Sequence, residues 1–121
     1  MKNNNFFQSI QHAFNGIKYF FLTERNAQIQ LMATLVIIAL AIVLGATAIE
    51  WMLLLLCIAM VLCFEMFNTS LECLCDVVHK ENHPIVKLVK DIAAGAVLTV
   101  TIISCIIGIL IFLPKILNLF S

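Results

Sequence analysis

The apolar positions divide the chain into four segments with different periods. Phe7, Ile10, Phe14, Ile17 and Phe21 recur at alternating spacings of three and four, with Lys18 and polar residues on the other side. That pattern predicts an amphipathic helix lying in a membrane interface over about residues 5–22. Thr23 is placed to cap the next helix, with Glu24 in its first turn. From Ala27 to Ile49 there is no charged residue, and about 20 apolar residues suffice to span the hydrocarbon of a bilayer. A first crossing over about 27–46 follows, ended by a turn at Gly45 to Thr47. Trp51, beside Glu50, suits the interface where a second crossing begins, and that helix runs over about 50–78. It is long enough, at roughly 43 Å, to project beyond the hydrocarbon. Pro84 fits the first position of a third spanning helix over about 84–113, with Pro114 and Lys115 at its end.

Composition agrees with three crossings. The chain has 121 residues, of which 63% are hydrophobic and 12% charged, and its mean hydropathy is +1.09. A soluble domain carries about twice that charge. The expected fold class is all-α integral membrane, one domain built from a surface helix and three transmembrane helices. Formal net charge is zero, so no basic patch argues for nucleic acid. No signal-peptide core precedes the first helix, because Gln8, Ser9, Gln11, His12 and Asn15 interrupt the apolar positions. All five cysteines fall in apolar helical stretches and read as packing groups. Cys73 and Cys75, two apart on a helix, point about 200° away from each other and cannot close on one ion.

Against this background Glu65, Asn68, Thr69, Glu72 and Asp76 stand out, because at about 100° per residue they form one polar stripe on the second crossing. Met66, Phe67, Leu71, Leu74 and Cys75 make the opposite face. Ionisable groups in a span cost a few kcal/mol each and face a bundle interior or a wet cavity, which makes the stripe a candidate site. Basic residues set the orientation: Lys2, Lys18, Arg25, Lys80, Lys87 and Lys90 lie on one side and Lys115 alone on the other. The N-terminus and the loop from His79 to His83 are therefore expected in the cytoplasm. Glu24, Glu72, Asp76, the loop, Lys90 and Asp91 gather at that face, and Glu65 lies deeper, within reach of lipid headgroups.

Glu24 and Glu72 offer oxygen ligands of the kind Mg²⁺ takes alongside nucleotide phosphates and water. Lys90 offers a point charge for a phosphate, Glu65 can accept a proton from an alcohol, and Asn68, one turn away, is placed to orient it. These are the parts of phosphoryl transfer, yet four glycines leave no Walker loop and no glycine-rich kinase loop. The residues alone leave three readings open: phosphoryl transfer, a carboxylate-lined ion or proton pathway, and a structural polar seam between subunits. His12 on the surface helix is either part of a plain anchor or lent to a site.

Glu65-x-x-Asn68-Thr69-x-x-Glu72-x-x-x-Asp76, with His83-Pro84 and Lys90-Asp91-x-Ala93-Ala94-Gly95-Ala96-Val97, resembles the signature of the prokaryotic diacylglycerol kinase family, small trimeric membrane enzymes that include undecaprenol kinases. The resemblance extends to Phe14-x-Gly16-Ile17, Thr23-Glu24-Arg25-Asn26 and Phe112-Leu113-Pro114-Lys115, and the last two with His83-Pro84 are similar to the undecaprenol-kinase branch. It implies a homotrimer with sites built between chains, phosphorylating undecaprenol or diacylglycerol with MgATP. It also implies Glu65 as catalytic base with Asn68 positioning it, and Glu24 and Glu72 as metal ligands that also bind ATP. Lys90 and Asp91 match the phosphate-contacting pair, Glu81, Asn82 and His83 the segment at the adenine end, and Asp76 and His12 further nucleotide positions. The chain departs from the family pattern at Asn5 and Asn15, where basic residues are common, at His12, where a tyrosine is, and at Gln28, where an arginine is.

Overall fold

A computed structural model describes residues 5–78 and 83–121, so the expectations placed on His79, Lys80, Glu81 and Asn82 lie outside the described residues. The described residues form four helices, α1 (Phe6–Thr23), α2 (Arg25–Val43), α3 (Ala48–Val78) and α4 (Pro84–Leu119). Among the described residues there is no strand. The last three are long and apolar enough to cross a membrane, so the protein is an all-helical membrane protein.

Each boundary has a local cause. Asn5 caps α1 by accepting from the Gln8 amide, while the Gln8 side chain accepts from the Asn5 N–H, a reciprocal capping box. Between α1 and α2 the backbone breaks at one extended residue, Glu24 (φ −94°, ψ 122°). Glu24 rather than Thr23 is thus the N-cap of α2. Thr23 remains the last residue of α1, its hydroxyl donating to the Tyr19 carbonyl at 2.6 Å. Gln28 reaches back from α2 to donate to the carbonyls of Phe21 and Leu22 at 3.2 and 3.4 Å, satisfying groups that the end of α1 leaves open.

The α2–α3 turn passes through Gly45 at φ +68°, the left-handed region that glycine enters without a Cβ penalty. Thr47 and Glu50 then form a second reciprocal cap, the Glu50 N–H donating to Thr47 Oγ1 and the Thr47 N–H to Glu50 Oε1. His83 caps α4, its Nδ1 accepting from the Ile85 N–H at 3.1 Å, with Pro84 in the first turn as its fixed φ favours.

Pro114 does not end α4, which continues to Leu119. Proline removes one amide donor and crowds the preceding turn, but the residues beyond it are held from outside the helix. Lys115 pairs with Glu50 at 2.9 Å, and Ile116 packs on the cluster of Ala41, Leu54, Ile111 and Phe112. That cluster, joined by Trp51 and Leu44, ties the α2–α3 turn to the last part of α4. Elsewhere α3 and α4 pack along each other, and α2 meets α3 less extensively. Between α2, α3 and α4 this leaves a cavity of 660 Å³, walled by apolar side chains such as Ile37, Leu54, Val61 and Leu62.

Candidate active site

The only polar side chains buried among the described residues are Glu65 and Asn68, 5% and 8% exposed, one turn apart on α3. Glu65 is met from α2: Asn26 Nδ2 donates to its Oε1 at 3.4 Å and Gln30 Nε2 to its Oε2 at 3.5 Å. Asn26 and Gln30 are four apart on a helix and so share a face, which lets one amide reach each carboxylate oxygen. Both oxygens of the carboxylate are thus met by donors from the neighbouring helix, which fixes its orientation. The backbone carbonyl of Gln30 accepts from the Thr34 hydroxyl at 2.8 Å, while the side-chain oxygen of Gln30 is buried without a partner.

Asn68 turns the other way along α3. Its Nδ2 donates to Glu72 Oε1 at 3.0 Å, and its Oδ1 is buried without a partner. The sequence expectation had Asn68 orienting Glu65. Instead the amides of α2 hold Glu65, and Asn68 holds Glu72, because residues four apart meet as readily as residues three apart. Glu72 is exposed, so an oxygen not engaged by Asn68 faces solvent.

One turn further, Asp76 leaves the stripe to meet α4, its Oδ1 accepting from Lys90 Nζ at 2.6 Å. Lys87 takes Asp91 at 2.7 Å within α4. Lys90 and Asp91, adjacent in sequence, therefore have separate partners, a divergence expected of neighbours about 100° apart on a helix. Glu24 sits half-buried at the α1–α2 break, where its side chain makes no cap hydrogen bond. His12 lies exposed on α1 and His83 at the start of α4. Among the described residues no three His, Cys, Asp or Glu side chains cluster to hold a metal ion by themselves.

Asn26 and Gln30 are absent from the site read from sequence, although two amides at i and i+4 at the head of an uncharged span carry the signal that marked the stripe on α3.

A bundle of membrane-crossing helices that encloses a carboxylate held by amides, with exposed carboxylates and a lysine further along, defines a membrane protein with a polar site at one end of its bundle. The sequence matches the family model for prokaryotic diacylglycerol kinase over residues 11–112. It is 42% identical over 112 residues to an undecaprenol kinase of Bacillus subtilis, covering 93% of this chain and 91% of the relative. It is also 36% identical over 116 residues to a diacylglycerol kinase of Synechocystis sp., covering 95% of this chain and 66% of that longer relative. The chain belongs to the prokaryotic diacylglycerol kinase family, and it is a lipid kinase.

Proposed function

We propose that the chain transfers the γ-phosphate of MgATP to the hydroxyl of a membrane lipid alcohol, undecaprenol in preference to diacylglycerol. It works as a homotrimer in the cytoplasmic membrane of a bacterium, with the N-terminus and the site facing the cytoplasm. The observation that carries this reading is the buried Glu65 carboxylate, held by Asn26 and by Gln30, which itself lines an apolar cavity, and continued along α3 by Asn68, Glu72 and Asp76 toward Lys90. A chain bearing an alcohol approaches through hydrocarbon, a nucleotide through water, and the stripe joins the two sides.

Within that reading Glu65 is the general base: it accepts the hydroxyl proton as the lipid oxygen attacks the γ-phosphorus. Asn68 supports the site through Glu72. Glu24 and Glu72 would hold Mg²⁺; the donor set fits, since both carboxylates keep oxygens outside any cap, and Mg²⁺ takes one or two carboxylates with phosphates and water. When bound, the ion supplies positive charge to the phosphates. Lys90, exchanged from Asp76, contacts a phosphate together with Asp91, while His12, Asp76, Glu81, Asn82 and His83 line the nucleotide.

The preference for undecaprenol is supported by the name of the relative at 42% identity and by the Thr23 to Asn26, His83-Pro84 and Phe112 to Lys115 motifs. Six basic residues against one support the cytoplasmic orientation. Purified protein offered both lipids with labelled ATP is the test. Label in undecaprenyl phosphate is expected, label in phosphatidic acid alone reassigns the acceptor, and transfer to neither sinks the reading.

A further inference from the structure

Each lysine of α4 already has an acidic partner. Lys115 meets Glu50 at 2.9 Å, Lys87 meets Asp91 at 2.7 Å one turn along its own helix, and Lys90 meets Asp76 at 2.6 Å. An anion that uses one of these ammonium groups must therefore displace a carboxylate first. The three pairs differ in what they hold. Glu50–Lys115 and Asp76–Lys90 both tie α3 to α4, one near each end of those helices, whereas Lys87–Asp91 lies within α4. At the far end the Glu50 and Lys115 side chains are 24% and 21% exposed, while those of Asp76 and Lys90 are 69% and 36% exposed. A pair open to water is favoured over its separated state by a factor of about five at most, so the Asp76–Lys90 pair is the cross-helix pair that a ligand can open. Glu72, one turn before Asp76, is bonded to Asn68, and of the carboxylates on the stripe it is Asp76 that contacts the ammonium.

We propose that Asp76 is an internal competitor for the phosphates of the nucleotide. Its carboxylate holds Lys90 against α3 until a phosphate takes its place, and the ammonium passes from one anion to the other. A ligand whose binding group is held elsewhere for part of the time binds more weakly by the fraction of time that the group is released. Asp76 thus acts through Lys90, as a positioning residue that sets how tightly the site takes polyphosphate, and its removal strengthens binding. This role rests on the lipid-kinase reading above, which gives Lys90 to a phosphate, and adds to it what the carboxylate does. The exchange also loosens α3 from α4 at the site, while the Glu50–Lys115 pair continues to hold the two helices at their other ends.

The test measures MgATP binding to the full chain in detergent micelles with no lipid alcohol added, by displacement of a fluorescent ATP analogue. Asp76→Asn removes the charge and keeps the shape, Asp76→Ser repeats that loss with a smaller side chain, and Asp76→Glu keeps the charge. The Kd for MgATP should fall about two- to fivefold in Asp76→Asn and Asp76→Ser and stay near wild type in Asp76→Glu. Damage to the fold does not tighten binding, so a purely structural role does not give this direction. Lys90→Met should weaken binding, and Asp76→Asn added to it should change nothing further, because the competitor has lost what it competes for. An unchanged or raised Kd in Asp76→Asn and Asp76→Ser overturns the proposal, since the carboxylate is then idle or a ligand of the nucleotide itself. Tightening that persists in the Lys90→Met background overturns it too, because the effect is then repulsion between Asp76 and the phosphates. A wild type that binds MgATP and shows the exchange, yet phosphorylates neither lipid, removes the lipid-kinase reading and leaves the competition standing.

Discussion

Glu65 and Glu72 lie on one face of α3 about 10 Å apart, yet they stand in different surroundings. Glu65 is buried and receives Asn26 and Gln30, whereas Glu72 is exposed and receives Asn68 alone. Replacing each with glutamine keeps size and removes charge, so the defects should differ in kind. Glu65→Gln should lower turnover by about 10² or more with MgATP affinity nearly unchanged. Glu72→Gln should weaken MgATP binding and recover in part at high Mg²⁺, as expected of a carboxylate that would help hold the ion. A Mg²⁺ titration of affinity and turnover for both variants checks this, and rescue of Glu65→Gln in place of Glu72→Gln would reverse the assignment. The stripe itself was legible in sequence because helical period alone places Glu65, Asn68, Glu72 and Asp76 on one face. The partners were not, since period fixes neighbours within a helix and says nothing about which amide of α2 stands opposite. The Asp76–Lys90 pair, 14 residues apart and on two helices, needed the packing of α3 on α4.

Helix ends show the same division between local and non-local causes. The turn at Gly45 to Thr47, the Pro84 start and the approximate spans follow from residues next to one another in sequence. The continuation of α4 past Pro114 does not, because Glu50 and Ala41 stabilise it from far along the chain. Two predictions belong here. Nothing lies within 4 Å of where a Cβ would stand on Gly45, so Gly45→Ala should destabilise by the left-handed backbone term alone, about 1–2 kcal/mol, and Gly45→Asn by less. Thermal unfolding in detergent reads both, and equal stability of Gly45→Ala and wild type would remove the turn's dependence on glycine. The Glu50–Lys115 pair is only 24% and 21% exposed at its side chains. Its loss in Lys115→Met should therefore lower thermal stability by more than the loss of an exposed pair and by less than the loss of a fully buried one. The exchanged pair Glu50→Lys with Lys115→Glu should regain part of it, and no regain would mean the orientation of the cap at Thr47, rather than the pair, holds α4.

Taken alone, one chain leaves much of its apolar surface uncovered. Buried hydrophobics among the described residues are few, chiefly Phe20, Ala27, Ala41, Leu54, Cys75, Ile111 and Phe112, while Leu110 and Phe67 are each 69% exposed. Lipid accounts for such a surface where it is purely apolar. It does not account for Glu72 and Asp76, exposed on the same helix, because carboxylates turned toward hydrocarbon are expensive. Either the upper part of α3 stands clear of the bilayer or a second copy covers it, and a site built between copies satisfies both demands. In one chain Glu24 makes no cap bond and stands on the α1–α2 break, whereas Glu65 is enclosed by α2 and α3 of its own chain. If the metal-binding and proton-accepting parts of a working site come from different copies, Glu24→Gln and Glu65→Gln spoil different sites in a mixed oligomer. Each variant should be inactive alone, and co-assembled subunits should recover a fraction of wild-type turnover. In a trimer mixed at equal amounts that fraction is set by how often an intact Glu24 and an intact Glu65 face one another across a contact. The measurement is turnover against mixing ratio, with subunit exchange verified by two distinguishable tags. A curve that passes through a maximum near equal mixing supports a shared site. A flat line at the level of the single variants, in oligomers shown to contain both tags, places Glu24 and Glu65 in the same chain's site.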